Sequence, residues 1–147
     1  MKLNRKGFTL IELLAVIIIL AIVVGITIPA IMSTVSNAKQ SAYNTAAQSC
    51  ADWIERQYQI YMVDSSDKSL NASLKTKFAS AGTTAQALDA TLVEACGLKS
   101  GNVDAANTKF KVNNGRVCLQ LKASSTGDYK DFVSTPVTGG ACTGVTF

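Results

Sequence analysis

An uncharged run of 20 residues close to the N-terminus, residues 13–32, constrains this chain more than any other feature of its sequence. As a helix that rises about 1.5 Å per residue, the run covers roughly 30 Å, the thickness of the hydrocarbon core of a bilayer. Lys2, Arg5 and Lys6 precede it, and the positive-inside rule keeps such basic residues in the cytoplasm. The sequence therefore predicts a membrane-spanning helix over residues 8–32, with the rest of the chain on the far side of the membrane.

One acidic residue, Glu12, interrupts the apolar pattern four residues after Phe8. A carboxylate close to hydrocarbon is costly and usually has a partner, and no basic residue follows within the apolar run. Two interpretations stay open. Glu12 can lie at the membrane interface and reach the headgroups or Lys6. Alternatively, cleavage after Gly7 would give Phe8 a free α-amino group, and Glu12 of one subunit would neutralise that amine on another.

The segment Gly7-Phe8-Thr9-Leu10-Ile11-Glu12-Leu13 resembles the prepilin signature of type IV pilins and their relatives. The resemblance covers the short basic leader, the glycine before Phe8, the glutamate four residues later and the long apolar helix that Pro29 interrupts. It implies that a prepilin peptidase/N-methyltransferase cleaves the Gly7-Phe8 bond, removes leader residues 1–7 and methylates the Phe8 amine. It also implies self-assembly into a helical filament whose centre is formed by the apolar segments.

The same resemblance implies a sequence of locations and partners. The membrane holds the subunit before assembly, a pilus assembly platform and minor pilins take part in assembly, and the assembled pilus lies outside the cell. Pseudopilins of type II secretion systems and competence pilins for DNA uptake carry the same signature, so these alternatives stay open. A single-span anchored binding domain would need neither Glu12 nor the Gly7-Phe8 junction. An ordinary secretory signal has a shorter apolar region, followed by a small-residue cleavage site.

Composition bounds what the remainder of the chain can do. Of 147 residues, about 110 lie beyond the apolar segment, which suits one small domain. Without the three basic residues of the leader, 11 basic side chains stand against 10 acidic ones, so bulk charge does not indicate nucleic-acid binding. Histidine is absent, which excludes histidine-based catalytic sets and metal sites. No phosphate-binding loop or dinucleotide fingerprint occurs, so the sequence indicates no enzyme and no cofactor.

Two residues are expected to weaken the apolar helix. Proline lacks an N–H and clashes with the preceding turn, so we expect a kink near Pro29. A helix weakened between Gly25 and Pro29 could also stretch locally when it is packed in a fibre.

Beyond Pro29 the helix is predicted to continue to about residue 62. Residues 33–62 form an amphipathic segment with a narrow stripe of mostly small apolar side chains that broadens near its end. This stripe comprises Val35, Ala38, Ala42, Ala46, Cys50 and Trp53, and it can extend to Tyr58 and Tyr61. Residues 63–147 then form a globular head with one short helix near residues 70–78 and another over residues 85–96. Thr83 or Thr84 can cap the second helix and Gly97 can end it.

The last third of the chain has a β pattern. Residues 109–112 alternate, Asn114-Gly115 is a strong hairpin turn, and Val117, Leu119 and Leu121 alternate on the return strand. A third strand is predicted over residues 129–134, and the apolar side of the hairpin should face the long helix around Trp53. The predicted fold class is α+β, with a long N-terminal helix packed on a small antiparallel sheet. The resemblance to pilins implies the same layout.

The opposite face of the hairpin is basic, with Lys109, Lys111, Arg116 and Lys122. Exposed charges are ordinary on a half-buried sheet, and lysine discourages edge pairing, so a solvated face is one interpretation. The other is a weak anion- or DNA-binding patch, repeated along a fibre so that small affinities multiply.

Four cysteines, Cys50, Cys96, Cys118 and Cys142, favour two disulfides in an exported domain. Four cysteines allow three pairings, and the sequence cannot choose among them. Cys118 lies between Val117 and Leu119 and so points away from the apolar face, where the glycine-rich tail around Cys142 is the nearest candidate. We therefore predict Cys118 with Cys142 and Cys50 with Cys96. A four-thiolate zinc site is the rival, although no Cys-x-x-Cys pair is present.

Overall fold

The computed structural model of the chain describes residues 9–129, 136–137, 142 and 144–147. The chain forms two compact units, Met1–Ala38 and Lys39–Phe147. One helix, α1 (Leu10–Val63), contributes to both units. The second of these, Lys39–Phe147, is the head unit.

In the first unit α1 is apolar and uncovered. Its large apolar side chains, from Leu10 to Val35, are each at least 47% exposed. An 18-residue window of the helix has a mean hydropathy of 3.0, so α1 is long and apolar enough to cross a membrane by length and composition. The helix continues through Gly25 and Pro29. Because Pro29 has no N–H to donate to the Gly25 carbonyl, one rung of the helix is missing there, and the predicted kink stays a prediction.

Two aspartates that follow α1 form hydrogen-bonded turns at its C-terminal end. The helix ends at Val63, one residue beyond the predicted end. The N–H and hydroxyl of Ser66 donate to Asp64 Oδ1 (2.8 and 2.6 Å), and Ser69 donates in the same way to Asp67 Oδ1 (2.7 and 2.7 Å). These hydrogen bonds lower the pKa of both carboxyl groups. Local side-chain-to-backbone bonds of this kind compete with the helix and turn the chain away.

Within the head unit, the buried stripe of α1 differs from the predicted one. The buried residues are Tyr43, Ala47, Cys50, Ala51 and Ile54. The prediction holds at Cys50, but Ala42 is exposed and the stripe is rotated by one position at that end. The cause is Tyr43, whose hydroxyl donates to the Leu121 carbonyl (2.8 Å). This bond permits the whole ring to be buried, and burial raises the pKa of Tyr43 to about 12.

Two short helices follow α1. Helix α2 (Ala72–Ala81) lies close to the predicted position, and the Asn71 side chain caps it by accepting the N–H groups of Ser73 and Leu74. Helix α3 (Ala90–Ala95) starts five residues later than predicted. Its cap is Asp89 and neither Thr83 nor Thr84, because the residues in between pair with the sheet.

The pairing that shortens α3 forms strand β1 (Gln86–Ala87), and the Leu88 N–H extends it by donating to the Thr108 carbonyl (2.9 Å). The end of α3 is as predicted. Gly97 has a φ of 86°, and the N–H groups of Gly97 and Leu98 donate back to the Glu94 and Val93 carbonyls. This is a Schellman motif, which needs the left-handed conformation that glycine adopts freely.

Among the described residues, four strands form one antiparallel sheet in the order β1-β2-β3-β4. Strands β2 (Lys109–Asn113) and β3 (Arg116–Gln120) form the predicted hairpin. The turn residues Asn114 and Gly115 have φ values of 50° and 78°, as a type I′ turn requires. Strand β4 (Pro136–Val137) pairs with β3. The strand predicted over residues 129–134 lies outside the described residues except for Tyr129, which is in a turn.

The core of the head unit lies between the hairpin, α1 and α2. Phe110, Val117, Leu119 and Leu121 are fully buried, as predicted, and join the same cluster as Ile54. Trp53 is only partly buried beside that cluster. A large apolar side chain contributes about 1.5–3 kcal/mol when it is fully buried, so this cluster dominates the stability of the head unit. The α+β layout, a long helix with a small antiparallel sheet, is that of a pilin-like fold.

A glycine with a specific packing role leads to the first prediction. A Cβ added at Gly127 would lie 2.7 Å from the Asn102 Cα and 2.8 Å from the Gly101 carbonyl oxygen. We expect Gly127→Ala to destabilise the head unit by about 1–3 kcal/mol, because backbone atoms must shift to admit the methyl group. Urea unfolding of the full chain in micelles, followed by Trp53 fluorescence, measures this loss.

Gly82→Ala is the matched control for that prediction. Gly82 has a φ of −75°, and no atom lies within 4 Å of a Cβ added there. The control should be neutral or stabilising by about 0.4–1 kcal/mol. Equal unfolding midpoints for the two variants would contradict the packing role of Gly127.

Candidate processing and assembly site

The first turn of α1 is closed by a reciprocal pair of hydrogen-bonded residues. The Thr9 N–H and hydroxyl donate to Glu12 Oε2 (2.8 and 2.9 Å), and the Glu12 N–H donates to Thr9 Oγ1 (3.3 Å). Thr9 precedes the first helical residue, Leu10, and Glu12 is the third residue of the helix. This arrangement is a capping box, which satisfies donors that a helix start leaves unpaired.

The capping box gives Glu12 a partner that neither interpretation from the sequence included. Its carboxylate is stabilised by Thr9 of the same chain and by the positive end of the helix dipole. The Thr-x-x-Glu spacing before an apolar run was the feature of the sequence that could have identified it. Both hydrogen bonds end on Oε2. Within the part of the chain that the structure describes, Oε1 accepts no hydrogen bond, so it can accept a further donor.

Gly7 and Phe8 lie outside the described residues, so the predicted pairing of Glu12 with a Phe8 amine stays a prediction. What the structure describes is the chain directly after the predicted cleavage site. Its helix begins at Leu10, two residues beyond Phe8, and its acidic side chain is held at the start of an exposed apolar helix.

A comparison with protein families addresses the same segment. Residues 2–28 match the prokaryotic N-terminal methylation motif. The chain carries the type IV prepilin signature. This match to a short N-terminal segment supports a type IV pilin-like or pseudopilin protein, and it implies processing by a peptidase and assembly. Together with the apolar α1 it fits anchoring in the membrane before assembly. No curated protein and no solved structure is detectably similar to the chain.

Beyond the prepilin signature, the cysteines pair as predicted. Disulfides join Cys50 to Cys96 and Cys118 to Cys142, with Cα atoms 4.8 and 5.6 Å apart. The four-thiolate zinc interpretation is therefore wrong, since all four sulfurs are in disulfides. Within the described ranges, no group of three or more His, Cys, Asp or Glu side chains is arranged to hold a metal.

Of the four basic residues in the predicted patch, Arg116 is already in an ion pair with Glu55. Lys109 and Lys111 lie on the outer face of β2, half-buried, and Lys122 is exposed after β3. Arg116 lies on the same face as Lys109, but its Nε is 3.0 Å from Glu55 Oε1. Glu55 also accepts the Val117 N–H, which joins α1 to the start of β3. Anion or DNA binding by this face stays a prediction, with Arg116 already paired.

The capping box gives a second prediction. Thr9→Val keeps the shape of the side chain but removes both hydroxyl hydrogen bonds, whereas Thr9→Ser keeps them. We expect backbone amides of the first turn of α1 to exchange with deuterium about fivefold faster in the valine variant, as loss of a cap implies, and at the wild-type rate in the serine variant. Hydrogen exchange of the full chain in micelles measures this. Identical rates in the two variants would exclude a capping role for the hydroxyl.

Proposed function

We propose that this chain is a structural subunit of a type IV pilus, cut between Gly7 and Phe8 and assembled through α1. The observation that carries the proposal is that the methylation motif, residues 2–28, runs into a helix whose large apolar side chains from Leu10 to Val35 are all exposed. The methylation motif is a structural one, and for that reason we propose no enzyme role.

The exposed apolar half of α1 needs cover, because soluble proteins rarely expose contiguous apolar surface of this extent. Lipid covers it while the subunit is in the membrane, and the same side chains of neighbouring copies cover it in a filament. Because lipid already keeps these side chains from water, their transfer into a filament depends on close packing with neighbouring copies, and the same transfer into water would cost about 1.5–3 kcal/mol for each large side chain. Gly25 and Pro29 lie within this segment, where the missing hydrogen bond lets the helix adapt to its neighbours.

Processing prepares the charge pair of the assembly site. Cleavage after Gly7 releases the α-amino group of Phe8, and methylation leaves it basic. In a filament this amine is removed from water, and a buried charge without a partner costs several kcal/mol. Glu12 supplies the opposite charge, with Thr9 holding Oε2 and leaving Oε1 for the amine of a neighbouring subunit.

A pseudopilin or a competence pilin is the alternative, because the same motif directs their processing. The two possibilities differ in where the protein is found. A pilus subunit is recovered in long fibres sheared from the cell surface, and a pseudopilin stays with the envelope. The localisation that we propose is therefore the membrane before assembly and the extracellular pilus afterwards.

The experiment that tests the proposal is mass spectrometry of the N-terminal peptide of protein isolated from cell surfaces. We expect the peptide to begin at methylated Phe8. A peptide beginning at Met1, or one generated by cleavage after residue 32, would overturn processing at Gly7-Phe8. Recovery of the processed protein only in the envelope fraction would replace the pilus with the pseudopilin alternative.

A further inference from the structure

A cavity of about 250 Å³ lies in the head unit between α1, the segment after α3 and the turn before Tyr129. Three apolar residues that line it, Ala46, Leu98 and Val103, are partly or fully buried, and we call them its floor. Three polar residues that line it, Lys99, Asn102 and Asp128, are exposed or partly exposed, and we call them its rim. Tyr129 also lines the cavity, as what we call its wall, and its ring lies 5.1 Å from that of Tyr43 between centroids. Small-molecule sites combine these features, an apolar concave surface with a few convergent polar groups.

Hydrogen bonds hold the rim of this cavity in place. The Asn102 Nδ2 donates to Asp128 Oδ2 (3.3 Å), and the Asp128 N–H donates to Asn102 Oδ1 (3.2 Å). The Ser124 N–H donates to the Asn102 carbonyl (3.0 Å), and Gly127 packs directly on the backbone of Asn102. A rim that is already ordered does not have to lose conformational entropy when a ligand binds.

The charges at the rim define the class of ligand. Lys99 and Asp128 carry opposite charges, so a ligand with a net charge is attracted by one and repelled by the other. Within the described part of the chain the Lys99 ammonium has no ion-pair partner. The rim thus offers a cationic donor, an anionic acceptor and an amide, and its net charge is zero.

We propose that this cavity binds the ring of a neutral sugar. Sugar hydroxyls both donate and accept hydrogen bonds, so one ring can donate to the Asp128 carboxylate and accept from the Lys99 ammonium. The C–H face of the ring matches the apolar floor and the Tyr129 wall. The size of the cavity limits the occupant to a single ring, such as one residue of a longer glycan. The site lies in the head unit and does not depend on filament formation or on processing of the leader.

The test uses the full ¹⁵N-labelled chain in phosphocholine micelles, whose headgroup contains no sugar. The methyl glycosides of glucose, galactose, mannose and N-acetylglucosamine are titrated separately. For a ligand of this size we expect a dissociation constant on the order of 1 mM for at least one glycoside. The amide resonances of Leu98, Asn102 and Asp128 should shift. If none of the four glycosides shifts them, the proposal is overturned.

Two variants probe the cavity in different ways. Ala46→Leu fills the floor and leaves the polar rim unchanged, and Asp128→Asn removes the anionic acceptor while keeping the shape of the side chain. Both should weaken binding at least tenfold, whereas Asp52→Asn, an exposed carboxylate elsewhere on α1, should bind like the wild type. Undiminished shifts in Ala46→Leu would show that the sugar binds outside the cavity and would also overturn the proposal.

Discussion

Surface fibres are expected to contain at least about tenfold less of a Glu12→Gln variant than of the wild-type chain, with the head unit folded normally. Glutamine keeps the length of the side chain and an oxygen that accepts the Thr9 N–H, and it is as suitable as glutamate in a capping box. The substitution therefore removes the negative charge and little else. If Glu12 neutralises a neighbour's Phe8 amine, the variant leaves a buried cation unpaired, and each 1.4 kcal/mol of that cost is about tenfold in assembly.

The measurement is the amount of protein in sheared fibres relative to the membrane fraction. The N-terminal mass of the membrane-bound variant reports whether cleavage at Gly7 still occurs, which separates a defect in assembly from one in processing. Asp52→Asn is the matched control, because it removes a carboxylate from an exposed position of the same helix. Normal fibre yield from Glu12→Gln would show that charge pairing is not required and would leave Glu12 as a capping residue only.

Features set by short segments of sequence were predictable. The apolar run fixed the first half of α1, and Asn114-Gly115 fixed the register of the hairpin, because two consecutive positive φ values are cheap only for such residues. The disulfide pairing followed from alternation along β3, where Cys118 lies on the opposite face from Val117 and Leu119. These inferences need only local periodicity and one turn, and both are present in the sequence itself.

Features that depend on distant partners were not predictable. Strand β1 has two residues and no alternation to mark it, and it exists because β2 lies beside it. Its formation moved the start of α3 from Thr83 or Thr84 to Asp89, and threonine and aspartate are both good caps, so residue type could not choose between these positions. Likewise, a buried Tyr43 requires the Leu121 carbonyl, 78 residues away in sequence, to accept its hydroxyl. No pattern within α1 contains that information.

The candidate processing and assembly site could be predicted only in part from the sequence. Its residue types and spacing were visible in the sequence, and the match to the methylation motif covers them. The structure shows in addition that Thr9 of the same chain donates hydrogen bonds to the Glu12 carboxylate. The carboxylate has a partner in its own chain before it meets another subunit, so inter-subunit pairing adds to an existing hydrogen-bond set.

Removing the disulfide between Cys50 and Cys96 is expected to cause the largest loss of stability in the head unit. The bond closes a loop with a sequence separation of 46, and loop-closure entropy predicts a contribution of about 4 kcal/mol. The other disulfide closes a separation of 24 and should contribute about 3.5 kcal/mol. For a small domain whose total stability is about 5–15 kcal/mol, either loss is a large fraction.

The variant is the double substitution Cys50→Ala with Cys96→Ala. Alanine is preferred to serine because Cys50 is fully buried and an unpaired hydroxyl there would add its own penalty. Urea unfolding of the full chain in micelles is followed through Trp53, the single tryptophan, which packs against the core. The double substitution Cys118→Ala with Cys142→Ala is the matched control and should lose less.

The disulfide between Cys50 and Cys96 lies where it can affect assembly as well as stability. Cys50 lies in the middle of the buried stripe of α1, and Cys96 follows directly after α3, so the bond ties the assembly helix to the segment that leads into the sheet. Without it, α1 is held to the rest of the head unit by side-chain packing, by the hydrogen bond from Tyr43 to the Leu121 carbonyl and by the contacts of Glu55 with β3. An unfolding free energy reduced by less than about 1 kcal/mol would mean that packing of Tyr43, Ala47 and Ile54 is sufficient and that loop closure contributes little.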